Sequence, residues 1–149
     1  MPYSLLFLGS QSEYQAHYIE RYCKRPVTTF DGYQVTFTRN MFYHAFYKST
    51  HRDAMKDAFD PERALRIDWI REALEDPGAD LRVGYDNKKK KINTQARVAI
   101  VVGNYVVVIR IKDKGRKRAM FVTAFVATGE GLAKILTSQK WAQKNRRFD

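Results

Sequence analysis

The chain has a single cysteine, Cys23, among its 149 residues. One thiol cannot form an internal disulfide, and no second cysteine or nearby histidine cluster offers the ligand spacing of a zinc site. The composition therefore excludes the small proteins that depend on disulfides or zinc. We interpret Cys23 as structural rather than reactive, and we expect no metal or other cofactor.

The chain also lacks a long apolar run. No stretch approaches the roughly 18 apolar residues of a transmembrane helix, and the apolar segment from Leu5 to Leu8 is short and lacks a basic leader. We therefore expect a cytoplasmic protein that does not use a membrane. No internal repeat or long linker is visible, and the length suits one domain over residues 1–149.

Acidic residues are scarce in the second half of the chain. Residues 81–149 contain seventeen lysines and arginines against four acidic residues, whereas residues 1–80 contain ten against twelve. The net charge of +11 therefore comes from the second half. A surface that serves only solubility mixes both signs, so this asymmetry predicts a basic face for a polyanion, most of all RNA, or for an acidic partner.

The residues that are present predict a folded α+β domain. With 44% hydrophobic and 13% aromatic residues, the chain can bury enough apolar surface to fold. Helical periodicity gives way to strand periodicity near Asp80. Residues 3–8 are predicted as a short strand, and Ser12 with Gln15 resembles a capping box that opens the first helix. Three tyrosines recur on that helix and are expected in the core or against a partner: Tyr14, Tyr18 and Tyr22.

A histidine lies on the second predicted helix. A brief strand is predicted over residues 34–38, and Thr38 or Asn40 can then cap a helix. Its apolar arc comprises Met41, Phe42, Ala45 and Phe46. His44 falls outside that arc. If the helix continues past Ser49, His44 shares a polar stripe with Tyr47, Lys48 and His51.

The third helix carries an arginine that needs a partner. Asp60 suits the N-cap and Pro61 the first helical position, while Pro77 and Gly78 mark the end. The wheel places Arg66 in the middle of the apolar face formed by Ile67, Trp69, Ile70, Ala73 and Leu74. A buried unpaired charge costs several kcal/mol, so Arg66 must pair with a carboxylate, reach the solvent edge, or face a ligand phosphate.

The pair Gly103-Asn104 predicts a two-residue hairpin between strands rich in β-branched residues. This turn pairs Val102 with Tyr105 and directs Ile92, Ala96, Val98, Ile100, Val107, Ile109 and Ile111 to one face. On the other face Val101 meets Val106, Arg97 lies opposite Arg110, and Gln95 lies opposite Lys112. Two arginines directly across a ladder repel each other, which indicates that an anion normally binds there.

A third strand is predicted over residues 119–127, followed by a short helix with Leu132, Ile135 and Leu136. Three basic runs lie in this half of the chain: Lys88 to Lys91, Lys114 to Arg118, and Lys140 to Arg147. Each run alone is typical of a solvated loop or terminus. Together they predict an RNA track that includes Lys88, Lys89, Lys90, Lys91, Gln95, Arg97, Lys112, Arg116, Lys117 and Arg118.

These features suit RNA cleavage without a metal. In that reaction the ribose 2′-hydroxyl attacks its own phosphate, and the protein supplies a base, an acid and cations for the phosphorane. His44 is the candidate for proton transfer. Arg66, Arg97, Arg110 and Lys112 are candidates for binding the phosphate, and the Thr123 hydroxyl for orienting it.

Residues 37–141 resemble the ribonuclease domains of the barnase/EndoU/colicin/RelE kind, especially phage- and prophage-encoded members. The matching segments are "FYHAF", "RALRIDWIREALEDPG", "VAIVVGNYVVVIRIK" and "FVTAF". The resemblance implies N-terminal helices packed on a small antiparallel sheet, with an exposed sheet face that cleaves RNA. By position, His44 is similar to a helix-borne histidine of the family, Arg110 to a sheet-face cation, and Thr123 to a hydroxyl residue of the last strand. Tyr85, Lys91 or Arg97 could replace any of them.

The sequence thus predicts an endoribonuclease core over residues 34–141, preceded by an extension (1–33) and followed by a basic tail (142–149). The resemblance implies a toxin restrained by an acidic antitoxin or immunity protein. The alternative function is a noncatalytic module that binds RNA or DNA. A third interpretation makes the basic face a docking surface for an acidic protein.

Overall fold

The computed structural model describes residues 3–48, 58–83, 85–86, 91–92 and 97–137. These residues form an α+β fold with five α-helices, one π-helical turn and a six-stranded sheet. The helices are α1 (Gln11–Tyr18), α2 (Met41–Phe46), α3 (Pro61–Ala64), α4 (Ile67–Glu75) and α5 (Gly129–Leu136), and the π-helical turn is Ile19–Cys23. The strands are β1 (Val27–Thr28), β2 (Gln34–Thr36), β3 (Tyr47–Lys48), β4 (Ala58–Phe59), β5 (Asp80–Val83), β6 (Tyr85–Asp86), β7 (Lys91–Ile92), β8 (Arg97–Val102), β9 (Tyr105–Asp113) and β10 (Arg118–Val126).

The main sheet has the order β1-β2-β10-β9-β8-β5. Neighbouring strands are antiparallel except β2 and β10, which pair in parallel. The α+β class is therefore confirmed, but the expectation of a small, purely antiparallel sheet is wrong. The difference arises because β2, from the first half of the chain, joins the edge of the C-terminal strands.

The predicted hairpin register is confirmed. Val102 pairs with Tyr105 and Val101 with Val106, and the backbones of Arg97 and Arg110 lie opposite each other. Gly103 adopts a φ of 61°, which glycine reaches without steric cost. The predicted pair of Gln95 with Lys112 involves a residue outside the described ranges.

One face of the sheet carries the main core. The largest fully buried side chains are aromatic and come from the helices and from β10: Tyr18, Tyr22, Phe42, Phe46 and Phe121. Phe37, which follows β2, stacks on Phe121 with 4.7 Å between ring centroids. Tyr14 is also buried, so of the two expected locations for the three tyrosines, the core or a partner surface, the core is the one observed. Helices α1 to α4 thus cover this face of the sheet.

The N-terminal segment differs from the prediction. Residues 4–8 form no strand; they form an irregular segment bound to the helices by hydrogen bonds. The first helix begins two residues earlier than the Ser12 capping box implied, because the Ser10 hydroxyl accepts the Glu13 amide at 3.3 Å. Among the described helices, none combines the length and apolar character that crossing a membrane requires.

The second helix ends at Phe46. Asn40 is its N-cap residue, and Phe42, Ala45 and Phe46 are buried as predicted. The prediction of a polar stripe from His44 to His51 required the helix to continue, and it is wrong. Tyr47 and Lys48 are extended and pair with Phe59 and Ala58 in β4. His51 lies outside the described residues.

The third predicted helix is two helices. Asp60 caps α3 through its bond to the Glu62 amide at 3.1 Å, and Pro61 opens it, as expected. The chain then leaves helical geometry at Arg66, whose ψ is 17°. The break frees the Leu65 carbonyl to accept the Leu6 amide at 2.8 Å. The apolar face of α4 is confirmed, with four buried residues: Ile67, Ile70, Ala73 and Leu74.

Candidate nucleic-acid interface

Among the described residues, elements cover only one end of the face of the sheet opposite the main core, here called the open face. Leu132 and Ile135 of α5 pack there on a small apolar cluster of four residues: Ala99, Val101, Val106 and Ala127. This covered end lies near the Gly103-Asn104 turn. The other end of the open face carries charged and polar residues.

The uncovered end is basic. The backbone of Arg110 lies between Arg97 on β8 and Met120 on β10. Lys112 is exposed two residues later, about 7 Å along the strand. The register then shifts between Arg118 and Ala119, so that the exposed Arg118 lies opposite Asp113 on β9 and beside Gln34 on β2. We call Arg97, Arg110, Lys112 and Arg118 the basic end.

The turn from β9 to β10 adds further cations. Lys114, Arg116 and Lys117 are all exposed there. Lys117 adopts a φ of 54°, and its ammonium donates to the Asp31 carbonyl at 3.2 Å. This contact fixes the basic turn against the loop between β1 and β2.

Three of the four cations of the basic end have described side chains. Within the described ranges, the side chains of Arg110, Lys112 and Arg118 form no ion pair and no hydrogen bond. Asp113, which lies opposite Arg118 in the strand ladder, is 3.9 Å from the Arg116 guanidinium. The positive charges of these three side chains are therefore not neutralised by ion pairs with described residues.

A β-bulge brings Thr123 to the open face. The register between β10 and β9 shifts between Phe121 and Thr123, so that Thr123 lies opposite Val108. Without the extra residue, alternation would turn Thr123 toward the core. Val108 is two residues from Arg110, which places Thr123 about 7 Å along the sheet from the arginine row. Thr123 and Arg110 therefore share one face.

His44 lies elsewhere. It is exposed on α2, whose buried side chains belong to the core on the helical side of the sheet. α2 lies against β10, whereas Arg110 is on β9, the next strand of the sheet. His44 therefore belongs to the helical layer, and the structure does not place it within the basic end.

Arg66 is not part of the open face either. Its guanidinium donates to the Glu62 carbonyl at 2.5 Å, lies 3.5 Å from the Glu62 carboxylate and sits 5.2 Å above the Trp69 ring. Of the three alternatives for this arginine, the carboxylate pair is the one observed. Its predicted place in the middle of an apolar helix face is wrong, because the helix breaks at this residue.

Arg66 is also distant from the basic end. Its carbonyl lies 3.5 Å from the Tyr105 hydroxyl, at the start of β9. Arg110 is five residues further along this strand, a separation of about 17 Å. The Nε of Arg66 is buried and has no hydrogen-bond partner among the described residues. Glu62 and Trp69 therefore give Arg66 a structural role.

Several predicted RNA-binding residues cannot be placed. Lys88, Lys89, Lys90 and Gln95 lie outside the described residues, as does the run from Lys140 to Arg147. The backbones of Lys91 and Tyr85 belong to the small β6–β7 hairpin. The predicted site is thus brought together in part: Arg97, Arg110, Lys112, Thr123 and the 116–118 turn residues.

Sequence reasoning missed the polar residues on the other side of β10. Gln34 and Thr36 of β2 pair with Arg118 and Met120, and Thr28 of β1 pairs with Gln34. The alternation of exposed and buried residues in β2 indicated that some side chains face solvent. Their place beside the basic end follows only from the parallel pairing with β10, which no local pattern announces.

The chain matches no protein-family model, no curated protein and no solved structure. Within the described part of the chain, no group of three histidine, cysteine or acidic side chains could hold a metal ion.

Proposed function

We propose that the protein binds RNA through the basic end of the open face. The observation that carries this proposal is the cross-strand backbone pair of Arg97 and Arg110, with Lys112 and Arg118 nearby. The side chains of Arg110, Lys112 and Arg118 form no ion pair with any described residue. Opposed like charges destabilise a sheet, and a bound phosphate reverses the sign of that contribution. A phosphate backbone also supplies several anions in a row, which matches a row of cations.

Removing two cations tests this proposal. In Arg110→Gln/Lys112→Gln, we expect the affinity for a fluorescent single-stranded RNA to fall roughly tenfold or more at low salt. The slope of log K against log salt should become shallower by about 1.4, since each phosphate contact on a single strand contributes about 0.7. Fluorescence anisotropy over a range of salt concentrations measures both quantities.

Arg21→Gln is the matched control, because Arg21 is an exposed arginine beside α4 on the helical side. It removes one positive charge, as the single variant Arg110→Gln does, and should leave the slope near the wild-type value. Equal losses in Arg21→Gln and Arg110→Gln would show that overall charge, not the basic end, attracts RNA.

A second candidate function is the metal-independent cleavage of RNA. It is favoured by the bulge that brings Thr123 to the same face as Arg110, the two sheet residues that the ribonuclease resemblance implies. In this mechanism Arg110 stabilises the phosphorane charge and the Thr123 hydroxyl orients the phosphate. His44 belongs to the helical layer, so the proton-transfer role given to it remains the least supported part.

Cleavage is tested on the same RNA in EDTA. A ribonuclease should yield fragments, and Arg110→Gln and Thr123→Val should slow their appearance at least tenfold, while His44→Ala tests the proton-transfer role. Recovery of intact RNA from a saturated complex would establish the noncatalytic alternative. In the ribonuclease case, an acidic antitoxin or immunity protein would bind the basic end and compete with RNA.

A further inference from the structure

Beside the basic end, the open face continues as an uncharged strip. Thr28, Gln34 and Thr36 are exposed, and they alternate with the buried Val27 and Val35. Through the strand registers, Thr36 lies next to Met120, and Met120 lies next to Arg110. We call Thr28, Gln34 and Thr36 the neutral strip.

The neutral strip has unused hydrogen-bonding groups. In the ranges that the structure describes, none of the three side chains has a hydrogen-bond partner. Two hydroxyls and one amide provide both donors and acceptors. They carry no charge, so they are poor ligands for phosphate but suitable partners for sugars and base edges.

The turn that joins these strands carries both signs of charge. Asp31, between β1 and β2, accepts the Thr29 hydroxyl at 2.5 Å, and the Lys117 ammonium donates to the Asp31 carbonyl at 3.2 Å. The exposed residues of β1 and β2 are uncharged, so these strands supply no second row of cations for phosphates. The negative backbone of a bound nucleic acid is therefore directed to the basic end, and its uncharged part to the neutral strip.

The shape of the strip selects the state of the RNA. In an A-form duplex, the deep, narrow major groove is closed to side chains, and phosphates of both strands border the shallow minor groove in which base edges are accessible. Adjacent strands are about 4.8 Å apart, so Thr36 lies two strands and about 10 Å from Arg110. An unpaired strand has one row of phosphates with its base edges free beside it, which matches one group of cations beside an uncharged strip.

We propose that the open face binds a single unpaired RNA strand, with its phosphates on the basic end and its sugars and base edges on the neutral strip. Gln34 and Thr36 are then the residues that determine specificity. This inference rests on the proposed RNA-binding function and adds the strandedness of the ligand and the residues that read it.

The experiment compares a single-stranded 12-nucleotide RNA with its fully paired duplex at the same salt concentration. We expect the single strand to bind at least tenfold more tightly. In Gln34→Ala/Thr36→Val, single-strand affinity should fall about tenfold with an unchanged salt slope, while duplex affinity stays the same. Thr36→Ser, which keeps the hydroxyl, should bind like the wild type, and circular dichroism confirms that each variant is folded.

Each failure has a distinct signature. If neither RNA binds, the proposed function itself is wrong. If the duplex binds as tightly as the single strand, or if Gln34→Ala/Thr36→Val changes the salt slope as Arg110→Gln does, RNA binding stands and the role of the neutral strip is overturned.

Discussion

The hydroxyl of Tyr22 lies in the hydrogen-bond ladder of α4. It donates to the Ile67 carbonyl at 2.7 Å and accepts the Arg71 amide at 3.1 Å. These are the two groups that an α-helix pairs directly, four residues apart. The π-helical turn carries Tyr22, which is 2% exposed, and burial raises the pKa of its phenol. One side chain thus joins the first helical segment to α4.

Replacing Tyr22 by phenylalanine should lower the free energy of unfolding by about 1 to 2 kcal/mol. The Ile67 carbonyl and Arg71 amide lose a buried partner, but they can recover part of the loss by pairing with each other. Urea unfolding measures this change. Tyr43→Phe is the control, because Tyr43 is 44% exposed and should lose less than about 0.5 kcal/mol. Equal effects in the two variants would contradict the bridging role of Tyr22.

Arg66 shows why one prediction from the sequence failed. The wheel placed Arg66 on an apolar face because it assumed one helix from Pro61 to Gly78. At the break, the Leu65 carbonyl accepts the amide of the distant Leu6, and no local pattern contains that contact. The buried stripe through Tyr14, Tyr18 and Tyr22 was predictable because it follows from helical spacing alone.

At the scale of elements, the irregular N-terminal segment has a structural role. The Trp69 indole donates to the Ser4 carbonyl at 3.1 Å, and the Tyr3 hydroxyl donates to Asp76 at 2.9 Å. The Tyr14 hydroxyl donates to the Leu6 carbonyl at 2.8 Å and accepts the Leu8 amide at 3.0 Å. These bonds fix the segment to α1 and α4 without a strand partner.

Deleting residues 1–8 should therefore destabilise the fold while leaving RNA binding intact. A net contribution of about 0.5 to 1.5 kcal/mol per hydrogen bond gives a loss of roughly 3 kcal/mol. Urea unfolding followed by tryptophan fluorescence measures the loss. Trp69→Phe, which removes one of these bonds, should lose about 1 kcal/mol. An unchanged unfolding midpoint in the deletion variant would show that the segment contributes no stability.

The elements differ in how far the sequence predicts them. The β8–β9 register follows from the Gly103-Asn104 turn, since a two-residue hairpin fixes every later pair. The parallel pairing of β2 with β10 depends on contacts between residues far apart in the chain. The basic half of the open face was therefore predictable, and the neutral strip was not.

At the scale of the whole molecule, buried phenols make stability sensitive to alkaline pH. Burial raises the pKa of Tyr18, Tyr22 and Tyr105 in the folded protein, whereas an unfolded tyrosine titrates near pH 10. The folded state keeps these protons longer than the unfolded state. Its stability is therefore complete below about pH 10 and falls as the pH rises toward the native pKa values.

We expect the free energy of unfolding to drop by about 4 kcal/mol between pH 9 and pH 11, from about 1.4 kcal/mol for each of three phenols at pH 11. Urea titrations at several pH values measure this drop. Phenolate absorbance should rise in two stages, first from exposed tyrosines and then together with unfolding. Constant stability up to pH 11 would be incompatible with three buried neutral phenols.

The parallel pair of β2 and β10 also determines the order in which the molecule folds. Gln34 is synthesised early, yet its strand partner, Arg118, comes after β9 has been made. Phe37 likewise stacks on Phe121, so the aromatic core of the first half is closed by the last strand. Contacts between residues this far apart in the sequence slow folding, because the intervening chain must close into a loop before the contacts can stabilise the fold. During translation, β2 and Phe37 therefore cannot form their contacts with β10 until β10 has left the ribosome.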